Sequence, residues 1–315
     1  MLAAAILMET ALADVSVNLE SAKRLTAQAA KAGADLIVLP EFFNSCMAFD
    51  EGMLSVARWG TAAAAAITAL AQEWNVIVGG SYLTYSGEDV LNTFMLAFPN
   101  GEAFCHSKDI PTQFENCYYT NGDQNNILHT PIGDIGVALC WEMLRYDTVK
   151  RLAGKTDFIV AGSCWWDLPD DAPASHEPLR SYNRSLALNA PVEFAKRLRV
   201  PVVHAAHCSK ITASRFPGGD KLQTRQMVGA AQIIDADGGV AARRSFDEGE
   251  GFVLYDFIPQ KSTHAYSDTQ DYWIPDLPQA YITAWEKNNP LGREYYQTVS
   301  RPYYRTEINT KENAT

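Results

Sequence analysis

Short, unbroken apolar runs alternate in the N-terminal part of the chain with longer segments whose apolar residues recur at helical spacing. A continuous apolar run is typical of a β-strand that is covered on both faces, as in a sheet flanked by helices. Gly33 follows the first helical segment, at the position where a helix commonly ends. The pattern therefore predicts strands at 3–8, 35–41 and 76–83 and helices at 18–33 and 55–74.

The second half of the chain partly repeats this arrangement. Three more strands are predicted at 133–140, 156–166 and 201–208, and a helix at 190–199. Two hairpins are predicted as well, at 90–108 with a turn at Asn100-Gly101 and at 229–245 with a turn near Asp237-Gly238. Because each half closes with a hairpin, we expect an α/β protein with two mixed β-sheets covered by helices, rather than one doubly wound sheet.

Regular periodicity is lost after about residue 258, where aromatic residues become frequent. They are Tyr272, Trp273, Tyr281, Trp285, Tyr295, Tyr296, Tyr303 and Tyr304. Aromatic residues without a core of their own usually dock on another surface. We therefore expect a domain over 1–257 and a C-terminal extension over 258–315 that docks on the core or on a partner subunit.

The segment 215–225 also lacks periodicity, which predicts a mobile surface loop.

The charge balance limits the partners that this chain is expected to bind. The sequence has 37 acidic and 26 basic residues and a net charge of −11, whereas binding to nucleic acid or an anionic membrane requires a basic surface. No apolar run approaches the roughly 18 residues of a membrane span. The apolar N-terminus lacks a basic leader, so it is interpreted as a strand rather than a signal peptide. The six cysteines are scattered singly, and a reducing cytoplasm is the expected location.

Three predicted strands end in a reactive side chain: Glu41, Lys108 and Cys140. Functional sites gather at strand ends in α/β folds because the sheet holds the loops there in place. A thiol with an ordinary pKa of about 8.5 is mostly protonated at neutral pH, so a nucleophilic cysteine needs a base or a cation nearby. Glu41 is suited to be that base if burial raises its pKa. Lys108 is suited to favour the thiolate and to stabilise oxyanion charge.

Together these residues resemble the carbon–nitrogen hydrolase family, the nitrilase superfamily, whose catalytic residues are Glu, Lys and Cys in that order. The resemblance covers roughly 3–257 and includes "LPE" at Glu41, the Lys108 segment, "GVALCWE" at Cys140 and intervals of 67 and 32 residues between the three. Glu115 matches a second glutamate that often follows the lysine. The resemblance implies a four-layer α-β-β-α sandwich that pairs across an interface, and hence a homodimer or a higher homo-oligomer.

The same resemblance implies a reaction through a cysteine thioester. Cys140 attacks the carbon of a small amide, Glu41 shuttles the proton, and water hydrolyses the thioester, without a metal or an organic cofactor. The backbone N–H of Trp141 is expected to be an oxyanion donor because it follows the nucleophile. Glu115 is expected to hold Lys108 in place or to assist the leaving nitrogen, since a buried lysine needs a carboxylate neighbour.

Two alternatives involve histidines. Where the family commonly has an asparagine turn, this chain has His207 and Cys208, which puts the rim of the pocket in question. His204 and His207 could suggest zinc, but side chains three apart on a strand point to opposite faces. A papain-like pairing of Cys140 with His207 leaves Glu41 and Lys108 without a role.

The remaining assignments concern the pocket and the substrate. Cys46, Cys105, Cys117 and Cys164 are expected to fill space in the core. Cys164 differs from the other three because it ends a strand beside the predicted site. The triplet Cys140-Trp141-Glu142 resembles nitrilases, but Met143 replaces the histidine that typically follows in them. We therefore favour hydrolysis of an amide or carbamoyl compound, with nitrile hydrolysis as the alternative and an inactive binding protein as a third reading. The predicted substrate-binding residues are Phe42, Tyr118, Trp141, Trp165 and Trp166, and Tyr119 is a further aromatic candidate.

Overall fold

Strand β1, Leu2–Met8, is buried at six of its seven residues in the computed structural model of this chain, which describes residues 1–217, 219–263 and 277–312. The strand pairs with its parallel neighbours β2 (Leu36–Val38) and β9 (Val202–His207) and with the antiparallel strand β14 (Gly251–Asp256). Its two faces are both buried, one through Ala3, Ala5 and Leu7 and the other through Ile6 and Met8. This double coverage explains why the sequence shows an apolar run without alternation.

Fourteen strands and seven α-helices are present in the described residues. The strands are β1 Leu2–Met8, β2 Leu36–Val38, β3 Ile77–Ser86, β4 Asp89–Ala97, β5 Ala103–Ser107, β6 Ile127–Thr130, β7 Gly133–Leu139, β8 Phe158–Ser163, β9 Val202–His207, β10 Lys210–Ser214, β11 Leu222–Gln226, β12 Ala230–Ile234, β13 Val240–Ser245 and β14 Gly251–Asp256. The helices are α1 Val15–Lys31, α2 Met53–Val56, α3 Gly60–Trp74, α4 Tyr146–Leu152, α5 Glu177–Leu198, α6 Gln279–Tyr295 and α7 Arg301–Glu312.

Twelve of the strands form one mixed sheet with the order β5-β4-β3-β2-β1-β9-β8-β7-β6, to which β12, β13 and β14 add at β9, β12 and β1. The α/β class is therefore as expected, but the sheet is hydrogen-bonded throughout instead of being divided in two. Its two halves meet where β1 and β9 pair through only two residue pairs, Leu7 with Ala206 and Met8 with His207. Strands β10 and β11 form a separate hairpin.

Apolar side chains cover both faces of the sheet. One cluster lies between the two halves and contains residues of β1, β2, β7, β8 and β9. A second cluster joins α1 and α3 to the other face of β1 and β2, and a third joins α4 and α5 to β8 and β9. The continuous helical stretch Met53–Trp74 is long and apolar enough by composition to cross a membrane. The face of α3 that includes Ala63, Ile67 and Leu70 packs on the sheet, as in a core helix of a folded domain.

The structure corrects several expectations from the sequence. Helix α5 begins at Glu177 rather than at 190, and the segment 215–225 includes most of strand β11. The first part of α5 shows no clear apolar stripe, because its buried positions include Asn183 and Ala187. Cys105 is exposed on β5 and does not fill space in the core.

The C-terminal extension is helical from Gln279 to Glu312, although its sequence shows no apolar periodicity. Its buried residues are instead polar, small or aromatic: Asn289, Gly292, Tyr296, Ser300 and Tyr304. They recur every three or four residues, which is helical spacing without an aliphatic stripe. Their contacts are made to the same chain, as the Tyr304 hydroxyl donates to the Tyr118 carbonyl at 2.8 Å. Tyr272 and Trp273 lie outside the described residues.

Candidate active site

Three strand ends place Glu41, Lys108 and Cys140 in one buried region. Glu41 follows β2, Lys108 follows β5 and Cys140 follows β7 directly. The ammonium of Lys108 donates to Glu41 Oε1 at 2.9 Å and to Glu115 Oε2 at 2.7 Å. Glu41 and Lys108 are completely buried, and Glu115 and Cys140 nearly so. The predicted charged residues are therefore brought into contact, although 67 residues separate the first two in the chain.

The carboxylate of Glu41 is held by donors from two further strands. Asn92 Nδ2 of β4 donates to its Oε1 at 3.0 Å, and the backbone N–H of Cys164, which follows β8, donates to its Oε2 at 3.0 Å. Burial disfavours the ionised carboxylate, whereas Lys108 and these donors favour it. The effect of burial is the larger, so the pKa of Glu41 is raised to about 7. A carboxylate with this pKa is suited to exchange a proton at neutral pH.

Glu115 lies on the other side of the lysine and accepts three hydrogen bonds. Its Oε2 accepts from Lys108, from the Thr112 backbone N–H at 3.0 Å and from the Tyr119 hydroxyl. Burial acts to lower the pKa of Lys108, but the carboxylates of Glu115 and Glu41 outweigh burial and raise it well above the usual value. Lys108 is therefore a permanent cation beside the site.

Cys140 lies at a sharp turn between β7 and a single 3₁₀ turn. Its backbone has a φ of +52°, the left-handed region that a side chain other than glycine rarely adopts. Burial and the nearby carboxylate of Glu41 raise the pKa of the Cys140 thiol well above its usual value, although Lys108 acts in the opposite direction. Lys108 does not overcome burial, and the resting group is a thiol. Its proton must leave as the sulfur attacks.

A buried ion pair anchors this turn. Glu142 accepts from the backbone N–H of Leu139 at 2.7 Å and from that of Asp109 at 2.9 Å, and His106 Nε2 lies 3.1 Å from its Oε1. It thereby joins the loop that carries Cys140 to the loop that carries Lys108. His106 and Asn92 were not predicted as site residues from the sequence. Each lies inside a strand, where a polar side chain gives no local indication of function.

A cavity of about 270 Å³ opens above Cys140, Glu115 and Cys164. Three of the predicted substrate-binding residues, Trp141, Trp165 and Trp166, line it. Phe42 and Tyr118 do not, because both are buried behind the site, where Phe42 packs against Tyr119 and the Tyr118 hydroxyl donates to the Asp50 carbonyl at 3.2 Å. The other residues of the wall were not predicted and include Phe49, Phe114, Asp167, Asn183, Arg225 and Tyr281.

The two histidines near the site have structural partners. His207 Nε2 donates to the backbone carbonyl of Glu41 at 2.6 Å, and its Nδ1 lies 2.9 Å from Thr10 Oγ1. Burial lowers the pKa of His207 to about 4, so the ring is neutral at physiological pH. His204 contacts Ser163 Oγ at 2.8 Å. His207 therefore supports Glu41 rather than pairing with Cys140. Within the residues that the structure describes, no group of three or more His, Cys, Asp or Glu side chains is arranged to hold a metal ion.

The sequence matches a known family over most of its length. The family described as carbon-nitrogen hydrolase matches residues 2–267. Among curated relatives, nitrilase 2 of Arabidopsis thaliana is 27% identical over 151 residues, which are 41% of this chain and 44% of the relative. N-carbamoylputrescine amidase of Solanum tuberosum is 26% identical over 151 residues, 44% of this chain and 50% of the relative. The matched part thus spans about half the length of these relatives.

Solved structures share the fold at lower sequence identity. A carbon-nitrogen hydrolase from Helicobacter pylori G27 superposes with a TM-score of 0.67 at 17% identity and covers 81% of this chain and 88% of its own. A variant of the amidase from Nesterenkonia sp. AN1, in which acrylamide has added to the active-site cysteine, superposes with a TM-score of 0.63 at 16% identity. It covers 94% of this chain and 99% of its own. At these identities the likeness concerns the fold.

Proposed function

Since this chain belongs to the carbon-nitrogen hydrolase family, we propose that it hydrolyses a small amide or carbamoyl compound through a thioester on Cys140. The observation that carries the proposal is the buried cluster of Glu41, Lys108 and Glu115 beside the cavity that contains Cys140. A base with a pKa near 7, a permanent cation and a thiol are the groups that nucleophilic acyl transfer needs.

In the first half of the reaction, Cys140 Sγ attacks the carbonyl carbon while its proton passes to Glu41. The negative charge that develops on the substrate oxygen is stabilised by the Lys108 ammonium and by the backbone N–H of Trp141. One such donor typically lowers the barrier by about 3 kcal/mol. The leaving nitrogen then takes the proton from Glu41 and departs as ammonia or an amine.

In the second half, water replaces the departed nitrogen compound and attacks the thioester carbon. Glu41, again a carboxylate, accepts a proton from that water and returns it to the sulfur as the acid leaves. Glu115 also accepts from the Lys108 ammonium, and its role is to hold the ammonium in position through both halves.

Nitrile hydrolysis is the second candidate. The triplet Cys140-Trp141-Glu142 and the match to a plant nitrilase favour it. In the structure Glu142 anchors the turn and lies outside the cavity lining, so this member of the triplet does not itself contact a nitrile. An inactive binding protein is disfavoured, because a binding role gives no reason to bury a lysine between two carboxylates beside a thiol.

The proposal is tested with matched panels of amides, carbamoyl compounds and nitriles, scoring release of ammonia or amine together with the intact mass of the protein. We expect amide or carbamoyl turnover and a transient mass increase on Cys140 that corresponds to the acyl group. The variant Cys140→Ser should lose about 10³-fold or more in kcat.

Cys164→Ser is the matched control, because Cys164 lines the same cavity and contacts Glu41 only through its backbone. It should keep activity within about 10-fold, since its side chain has no role in the transition state. Turnover of nitriles alone would replace the first proposal by the second. Equal loss in both cysteine variants, or an acyl group on another residue, would refute a nucleophilic Cys140.

Further expectations extend this proposal. We propose that the two halves of the sheet act as the two central layers of a four-layer sandwich, which the apolar cluster between them supports. The extension over 258–315 is proposed to dock on the domain formed by 1–257, as the contacts of Tyr304 support. We further propose that the protein is a homo-oligomer, that it acts in a reducing cytoplasm and that it uses no metal or organic cofactor.

A further inference from the structure

Arg225 of strand β11 is a cation in the wall of the cavity that contains Cys140. Its side chain lies 5.5 Å from the centre of the Trp166 ring, which in turn packs edge-on against Phe49 at 5.2 Å. Stacking on an aromatic ring is a favourable way to hold a guanidinium in one orientation. Arg225 is therefore a partly buried group that Trp166 orients in the wall of the pocket.

The carboxylates in the same wall already have cations. Glu115 pairs with Lys108 at 2.7 Å. Asp167 is nearly buried and pairs with Arg180 at 3.2 Å and with Arg184 at 2.7 Å. Neither carboxylate is left to neutralise Arg225.

Arg225 itself has no carboxylate in ion-pair contact within the part of the chain that the structure describes. Its recorded polar contact is from Nη2 to the side-chain oxygen of Gln223 at 3.1 Å. A guanidinium has five N–H donors, so this contact leaves most of them unused. Burial and the nearby charge of Arg215 lower the pKa of Arg225, and the charge of Asp171, which forms no ion pair with Arg225 in the described residues, acts in the opposite direction without overcoming them.

We propose that Arg225 binds a carboxylate of the substrate, at the end away from the carbon that Cys140 attacks. Carboxylates fit the planar fork of a guanidinium through two parallel hydrogen bonds, and the cavity is apolar enough around Trp166 to strengthen the attraction. The substrate class is then an amide or carbamoyl compound that carries a carboxylate. This inference rests on the proposed hydrolysis but adds a specificity that the proposal does not require.

The first test compares substrates that differ only in charge. One pair is the monoamide of succinic acid and butyramide, with the carboxylate on the acyl side. The other is an N-carbamoyl amino acid and the alkylurea of the same length, with the carboxylate on the amine side. We expect kcat/KM to favour the anionic member of at least one pair, and the pair that responds identifies the side.

Arg225→Gln should remove that preference, lowering kcat/KM for the anionic substrate about 10-fold to 100-fold, mainly through KM, while the neutral partner changes little. Arg225→Lys keeps the charge and should retain part of the preference. Lys210→Gln removes a positive charge from the same hairpin outside the cavity lining, and it should leave the ratio unchanged. An equal loss for both substrates, or a wild-type enzyme that does not favour the anion, would overturn the inference.

A binding measurement separates this inference from the proposed chemistry. Calorimetry on Cys140→Ala, which cannot form a thioester, is compared with calorimetry on the double variant that also carries Arg225→Gln. Tighter binding of the anionic member, lost in the double variant, supports Arg225 whether or not turnover is found. If anionic and neutral members bind equally to Cys140→Ala, or neither binds, the assignment of Arg225 is wrong even when amides are hydrolysed.

Discussion

The ionisation of Glu41 depends on a few buried contacts. Desolvation and the carboxylate of Glu115 raise its pKa, whereas the ammonium of Lys108 and the backbone N–H of Cys164 lower it. The side chain of Asn92 also donates to the carboxylate. The value of about 7 results from this opposition. A base acts in its ionised form, so activity should increase as the pH rises through the pKa of Glu41.

We expect kcat/KM to rise with pH around an apparent pKa near 7. Asn92→Leu removes a donor that favours the carboxylate, and it should move this rise upward by about one pH unit. The measurement is a pH profile of kcat/KM for both proteins. Thr93→Val is the matched control, because the neighbouring Thr93 bonds to Ser107 instead of Glu41. A profile that is flat between pH 5 and 9, or a rise that Asn92→Leu leaves in place, would rule out Glu41 as the base (the pH limits are roughly two units either side of its pKa).

Residues at strand ends were accessible from the sequence, whereas residues inside strands were not. Glu41, Lys108 and Cys140 each follow an apolar run, so their positions could be predicted as neighbours at the edge of a sheet. Asn92 faces Glu41 from the middle of β4, and only the register of β4 against its neighbours brings it there. Register between distant strands is a tertiary property that local patterns do not encode.

Among the elements, the turn after β7 depends most on a single buried charge. Glu142 binds two backbone N–H groups and the ring of His106. The side chains of Glu142 and His106 are both buried. Burial disfavours the charged form of each, but the attraction between them lowers the pKa of Glu142 and raises that of His106. Breaking such a pair leaves an uncompensated charge.

Glu142→Gln should therefore destabilise the protein by about 3 to 5 kcal/mol, measured by urea unfolding at pH 7. Glu193→Gln is the control, since Glu193 forms solvent-exposed pairs with Lys196 and Arg197 on α5. Removing these should cost less than about 1 kcal/mol. Similar losses in the two variants would show that the Glu142 pair does not anchor the turn.

The elements that sequence reasoning missed are those without an aliphatic face. Helix α6 lies over the cavity through Ala280, Tyr281 and Ala284, yet its buried positions include Asn289 and Gly292. Apolar periodicity predicts a helix only when the helix packs through an apolar stripe. The predicted hairpins, in contrast, formed with turns at Gly101 and Gly238, where φ is positive as such turns require.

At the scale of the whole molecule, the C-terminal extension supplies part of the cavity that contains Cys140. Trp285 of α6 stacks on Trp141 with ring centres 5.9 Å apart and ring planes at 9°. The Tyr281 hydroxyl donates to Asn183 at 2.7 Å, which ties α6 to α5. The wall above Cys140 thus combines residues of the hydrolase domain with residues from beyond its predicted boundary at 257.

Trp285→Ala should remove the ring that stacks on Trp141 behind this wall and raise KM about 10-fold, with a smaller effect on kcat, because a less firmly held Trp141 packs less well on the substrate in the ground and transition states alike. Steady-state kinetics on the preferred amide measure this. Ile282→Ala on the same helix is the control, since Ile282 is 39% exposed and, unlike Trp285, has no ring to stack on Trp141. If Trp285→Ala leaves KM unchanged, α6 does not shape the pocket.

The short pairing of β1 with β9 is the seam between the two halves of the sheet, and it bears on what would happen if the chain were cleaved between them. The carboxylate and the ammonium come from the half of the sheet before that seam, while the sulfur comes from the half after it. His207, at the end of β9, reaches back across the seam to the backbone of Glu41. Under the proposed mechanism, a chain cut between the halves would leave the proton acceptor on one fragment and the nucleophile on the other, and neither fragment alone would catalyse the reaction.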